Sequence, residues 1–193
     1  MAGHELTSVE RLRTVLADGA RSPDDGDLGA EPAHALDHHL QCAHRLRLEH
    51  PDDLELQVAG LVHDVGSALV PGDEAGHGRL GADAIRALLG PRVARLVELH
   101  VPAKRYLTAI DPAYRARLSP ASTASLVAQG GTMGPEEAAS FAVVPELAAA
   151  LALRSADEAA KVPGRAVPTL LTWRPTVEAV AAARMPTHPA STR

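Results

Sequence analysis

Apolar residues along this chain recur at three- and four-residue steps, and no run of β-branched residues alternates with period two over a useful length. Residues 5–18 put Leu6, Val9, Leu12, Val15 and Leu16 on one helical face, with Thr7 and Glu10 spaced for a capping box. A loop rich in Gly, Asp and Pro fills 19–33, and a helix follows over about 34–49, broken by Pro51. Residues 53–70 are the most apolar stretch and predict one buried helix. After a loop over 71–78, helices are expected near 79–89 and 92–107, the second opening after Pro91. Asp111-Pro112 marks a turn. Ser119-Pro120 has the order of an N-cap and first helical residue, which predicts a helix over 119–129. A GGTMGP turn precedes helices at 136–141 and 145–161, and a last helix is expected at 175–184. The expectation is one all-α domain over 1–193, with an N-terminal helix inside 1–20 and a loose tail at 185–193.

Composition narrows the function classes. Hydrophobic residues are 46% and charged ones 22%, as in an ordinary globular protein. Aromatics are 2%, namely Tyr106, Tyr114, Phe141 and Trp173, so the core must be built from Leu, Val and Ala. No apolar run approaches about 20 residues, which argues against a membrane span. The start of the chain lacks a basic stretch followed by an apolar one, so it does not read as a signal peptide. The single cysteine, Cys42, excludes an internal disulfide and fits a reducing cytoplasm. A net charge of −5 disfavours a nucleic-acid partner. Nothing in the sequence sets the oligomeric state.

The ten histidines change the picture. His63-Asp64 lies inside the apolar LVHDVG, where an ionisable pair is costly unless hydrogen-bonded or metal-bound. His100 shares a face with Val93, Leu96 and Val97, so it points inward, and Lys104 lies one turn further on that face. Leu147, Leu151, Arg154, Asp157 and Lys161 form a stripe running from apolar into charged. It reads either as a solvated salt bridge or as a site wall. His38 and Gln41 share a face, while His34, His39, His44 and His50 around them read mostly as surface residues, and spacing alone does not choose the ligand among them. His77 opens a helix, and Ser122, Ser125 and Gln129 share a face. Together His38, His63, Asp64, His77, His100 and Asp157 supply four imidazoles and two carboxylates. That donor set suits two first-row metals, and mixed N/O ligands favour iron, manganese or zinc over calcium.

The segments HHLQCA (38–43), LVHDVG (61–66), GHGRLGAD (76–83), LHVPAKRYL (99–107), LSPASTASLVAQGGTM (118–133), LRSADEAAK (153–161) and KVPG (161–164) resemble the PhnZ-type mixed-valence di-iron oxygenases of the HD-domain superfamily. The likeness spans 28–164. It implies an HD-domain helical bundle with a metal site in its core, and oxidative cleavage of the carbon–phosphorus bond of a small 1-hydroxyphosphonate. The implied iron ligands are His38, His63, Asp64, His77, His100 and Asp157, with Asp64 bridging an Fe(II)/Fe(III) pair. Asp64, His63 and Lys104 would be the catalytic residues, and Lys104, Ser122, Gln129 and Arg154 would hold the phosphonate. Dioxygen is the implied co-substrate. The substrate supplies all four electrons and leaves as a carboxylic acid and phosphate, so no flavin, nicotinamide or 2-oxoglutarate is needed.

The chain also departs from the family pattern. Leu28 stands in place of a tyrosine, and Ser67 in place of the histidine of HDxGH. Glu31 is kept, and pairing with an ammonium group would favour 2-amino-1-hydroxyethylphosphonate. A trimethylammonium substrate would prefer an aromatic cage, which four aromatics make a poorer expectation. The alternative function is a metal-dependent HD phosphohydrolase acting on a nucleotide or small phosphate ester, and a further one is a catalytically silent ligand-binding module.

Overall fold

A computed structural model describes residues 4–19 and 33–184, and its regular structure among these is entirely helical. The elements are α1 (Val9–Gly19), α2 (Ala33–Glu49), α3 (Leu54–Val62), α4 (Val65–Leu69), α5 (His77–Ile110), α6 (Pro112–Ala116), α7 (Pro120–Ala128), α8 (Pro135–Phe141), α9 (Leu147–Ala159) and α10 (Leu170–Ala183). Leu28, Glu31 and the tail 185–193 lie outside the described residues.

The central element is α3. Every residue from Leu56 to Val62 is buried, which explains its unbroken apolar run. Around it pack Leu40 and Leu46 from α2, Ile85, Leu89, Leu96 and Val97 from α5, Leu153 from α9 and Trp173 from α10. A smaller cluster joins Leu99, Ala103 and Tyr106 of α5 to Met133, Ala138, Phe141 and Ala150. As composition requires, aliphatic side chains dominate the larger core. Arg92 ties α5 to the start of α3 through both oxygens of Asp53, at 2.7 and 2.6 Å, and through Glu55 at 3.0 Å.

Several boundaries differ from expectation. The N-terminal cap is Ser8, whose Oγ accepts the Arg11 N–H at 3.2 Å, in place of the expected Thr7–Glu10 box. The helix expected over 53–70 is two helices, because the chain turns at His63-Asp64. That turn lets α4 lie against the first turn of α5. A Cβ on Gly66 would stand 1.9 Å from the His77 carbonyl oxygen, so only glycine allows this approach. The two helices expected on either side of Pro91 are present as the halves of α5. They meet at Gly90, whose φ of 91° and ψ of 171° break the helical path. Asp111-Pro112 does more than turn: Asp111 caps the short α6 by accepting from the Ala113 and Tyr114 N–H groups. Ser119 caps α7 through the Ser122 N–H as expected. The last helix starts at Leu170, earlier than expected, since burial of Trp173 holds the extra turn in place ahead of Pro175.

Candidate metal centre

Six side chains from five places in the chain converge between the two cores. His38 comes from α2, His63 and Asp64 from the α3–α4 turn, His77 and His100 from α5, and Asp157 from α9. They form two groups. In one, His38, His63 and Asp157 bring ligand atoms within 4.8 Å of one another; in the other, Asp64, His77 and His100 do the same.

Asp64 joins the groups. Its Oδ1 lies 3.3 Å from Nε2 of both His77 and His100. Its Oδ2 lies 3.1 Å from His63 Nε2 and 3.9 Å from His38 Nε2. The local backbone makes this possible: Asp64 occupies the cap position of α4, yet its carboxylate makes no cap bond and is left for the imidazoles.

The imidazoles are oriented alike. Nδ1 of His38, His63, His77 and His100 meets the carbonyl oxygen of Ala160, Gly60, Glu74 and Val97, at 3.0, 2.9, 2.9 and 2.6 Å. A carbonyl only accepts, so each Nδ1 carries a proton and Nε2 is the ring atom turned to the centre. These Nε2 atoms approach each other, 3.2 Å apart in His38 and His63 and 3.0 Å apart in His77 and His100. Ring nitrogens and carboxylate oxygens this close repel unless a proton or a metal cation is shared among them. The donor set therefore fits metal ions, and the carbonyl contacts are the outer partners that fix ligand rings.

Electrostatics fit as well. Burial opposes ionisation of Asp64, yet His63, His100 and His77 hold its carboxyl well below the usual carboxylate range. Asp157 is likewise held low against its burial, chiefly by Arg154 and then His63. Its Oδ1 lies 3.1 Å from His38 Nε2 while its Oδ2 pairs with Arg154, so one carboxylate faces the histidines and the guanidinium together. The Asp64 side chain is 30% exposed, which marks the open side of the centre.

Beside the centre lies a cationic wall. Lys104 is buried and donates to Ser125 Oγ at 2.8 Å. Burial, with the neighbouring Arg154 next, pushes Lys104 down to about 8. Arg154 is buried too and donates to the Tyr114 hydroxyl at 2.5 Å, to Asp157 and to Glu158. Ser122 receives the Lys161 ammonium at 2.6 Å and donates to Glu158 at 3.0 Å. Gln129 ends α7 and its Oε1 is buried with no hydrogen-bond partner among the described residues, so it stands outside this network.

With this geometry in place, comparison with known proteins gives concordant results. The HD-domain family pattern matches residues 33–126. The chain is 36% identical over 152 residues to a hydroxymethylphosphonate dioxygenase of Gimesia maris, covering 74% of this chain and 75% of that relative. It is 34% identical over 166 residues to a [1-hydroxy-2-(trimethylamino)ethyl]phosphonate dioxygenase (glycine-betaine-forming) of Leisingera caerulea, covering 82% and 84%.

The chain belongs to the PhnZ-type HD-domain dioxygenases. Membership in this family makes it an oxygenase that uses a metal and dioxygen. No helix among the described residues is long and apolar enough to cross a membrane.

Several site residues were not singled out in the sequence. Tyr114 reaches Arg154 across 40 residues, and no local pattern announces that contact. Glu158 was legible in principle, four residues after Arg154 and three before Lys161. His39, expected at the surface, is buried with its ring 5.3 Å from His63. Burial, with His63 next, pushes it down to about 3, so it stays neutral. The role of Gln41 is also clear only here. Its amide donates to the Val162 carbonyl at 2.9 Å and accepts the Val162 N–H at 3.2 Å, clamping the chain just after Asp157 to α2.

Proposed function

We propose that this PhnZ-type dioxygenase cleaves the carbon–phosphorus bond of a small 1-hydroxyphosphonate with dioxygen, giving a carboxylic acid and phosphate. The observation that carries this is the pairing of two three-residue metal groups, joined by Asp64, with a buried Arg–Lys wall beside Asp157. In this reading His38, His63 and Asp157 would hold one iron and Asp64, His77 and His100 the other, with the Asp64 carboxylate shared between the two groups. The Fe(II)/Fe(III) pair supplies dioxygen activation and the redox capacity of the reaction. With two carboxylates the pair retains about +3, a field that favours a dianion.

The chain's own residues select and place the substrate. Arg154 offers a planar fork to the phosphonate and Lys104 a point charge, with Ser122 and Gln129 as neutral partners. Burial of Lys104 and Arg154 limits screening by water, which strengthens their attraction for a bound anion.

The aromatic residues bear on which substrate fits. Tyr106 packs on Phe141 at 5.2 Å in the smaller cluster, Trp173 is fully buried in the larger one, and the Tyr114 hydroxyl is engaged by Arg154. No ring remains for a trimethylammonium cage, although one relative is named for such a substrate. The reading is therefore a compact substituent, either none or a primary ammonium that Glu31 pairs with, as in 2-amino-1-hydroxyethylphosphonate. The test is phosphorus NMR on iron-loaded protein with a panel of 1-hydroxyphosphonates, with and without air. Phosphate released only in air supports the proposal. Release from phosphate esters without air replaces it with a hydrolase.

A further inference from the structure

Glu158 holds the position an incoming anion would need. Its Oε2 accepts from the Arg154 guanidinium, from the Ser122 hydroxyl at 3.0 Å and from the Lys161 ammonium at 3.3 Å. Its Oε1 accepts the Ser119 N–H at 3.3 Å, at the head of α7. Two of these four donors, Arg154 and Ser122, are the groups assigned above to the phosphonate. One carboxylate thus occupies the Arg154 Nη2 and Ser122 hydroxyl donors that a phosphonate oxygen would use.

Charge and access point the same way. Lys104, Arg154 and Lys161 place three cations around α7 and α9, and Asp157 offsets only one of them. Glu158 offsets a second and holds the cluster together at a modest net charge. Its side chain is 17% exposed against 6% for Asp157 and 4% for Arg154, so of the three it has the readiest path to solvent. It belongs to neither metal group.

We propose that Glu158 is a displaceable internal anion, which fills the phosphonate cradle when substrate is absent and turns outward when the phosphonate arrives. The consequence is a displacement cost that every entering anion must offset. A monoanion exchanges one negative charge for another and gains little, whereas a dianion leaves the cradle one charge better neutralised. The inference rests on the assignment of Arg154 and Ser122 to the phosphonate.

The experiment is calorimetric titration of the full chain, metal-loaded and metal-free, with inorganic phosphate and with methanesulfonate at pH 8. Wild type and Glu158→Gln are compared. The variant is expected to bind both anions more tightly, each by about tenfold, the scale of one charge at a partly screened site. Weaker or unchanged phosphate binding in the variant would overturn the inference and make Glu158 a positioning residue for Arg154. A crystal structure of the unaltered protein with phosphate tests the same point without a variant. Phosphate on Arg154 and Ser122 with the Glu158 carboxylate turned away is expected; Glu158 still on Arg154 refutes it. Carbon–phosphorus cleavage is assayed separately. If cleavage fails while the anion exchange holds, the proposed reaction is wrong and the cradle stands; the reverse removes only the role of Glu158.

Discussion

Gly66→Ala should cost this protein metal without altering a candidate ligand side chain. The added Cβ would lie 1.9 Å from the His77 carbonyl oxygen, 2.7 Å from its carbonyl carbon and 2.9 Å from the Gly81 nitrogen. All three are backbone atoms of the first turns of α5, so none can rotate aside. Restoring ordinary contact requires α4 and α5 to part by on the order of 1.5 Å. His77 must move with that turn, because its Nδ1 is tied to the Glu74 carbonyl at 2.9 Å, and its 3.3 Å approach to Asp64 opens. Overpacking of this kind costs about 1–3 kcal/mol, and each kcal/mol lowers Tm by about 2–4 °C in a chain of this size. Displacing one ligand by about 1 Å should reduce turnover on the order of a hundredfold. The assay is elemental analysis of metal per chain after gel filtration, alongside thermal unfolding. Gly134→Ala is the control, since an added Cβ there meets nothing and φ is −71°. The expected result is loss of metal and a lower Tm for the first variant and neither for the second. Two metals per chain at an unchanged Tm in Gly66→Ala would refute the reasoning.

Asp64→Asn should empty both metal positions, because each Asp64 oxygen faces a different histidine group, while Asp157→Asn should empty one; metal stoichiometry measures both. Gln41→Leu removes two hydrogen bonds to Val162 and should destabilise by about 1–3 kcal/mol, with metal affinity falling about 10–100-fold as the segment behind Asp157 loosens; denaturant unfolding and metal titration check these. Burial favours the neutral amine of Lys104, so its charge is lost as pH rises through about 8. Phosphate affinity should therefore decline above that pH in the unaltered protein, and the decline should vanish in Lys104→Arg, whose charge persists; a calorimetric pH series decides.

Much of the site was legible because its residues obey helical spacing. His100 points inward since Val93, Leu96 and Val97 do, and Lys104 follows one turn later. Arg154 and Asp157, three apart, share a face for the same reason, and both are buried. What spacing could not show was the break at His63-Asp64. An apolar run favours a continuous helix, and only the packing of Gly66 on His77 explains why the chain turns there.

From the sequence by itself came the all-helical class, an aliphatic core and the types of candidate donor, since periodicity, residue volume and ligand chemistry are local properties; the choice of His38 among its neighbouring histidines came from the family resemblance. The sharing of the two Asp64 oxygens between two histidine pairs was decided by tertiary structure alone. So were the carbonyls that fix each ring and the contacts of Tyr114 and Glu158 with Arg154. The physical reason is distance along the chain: His38 meets the Ala160 carbonyl across 122 residues, and such a contact exists only once α2 and α9 have packed on the same core.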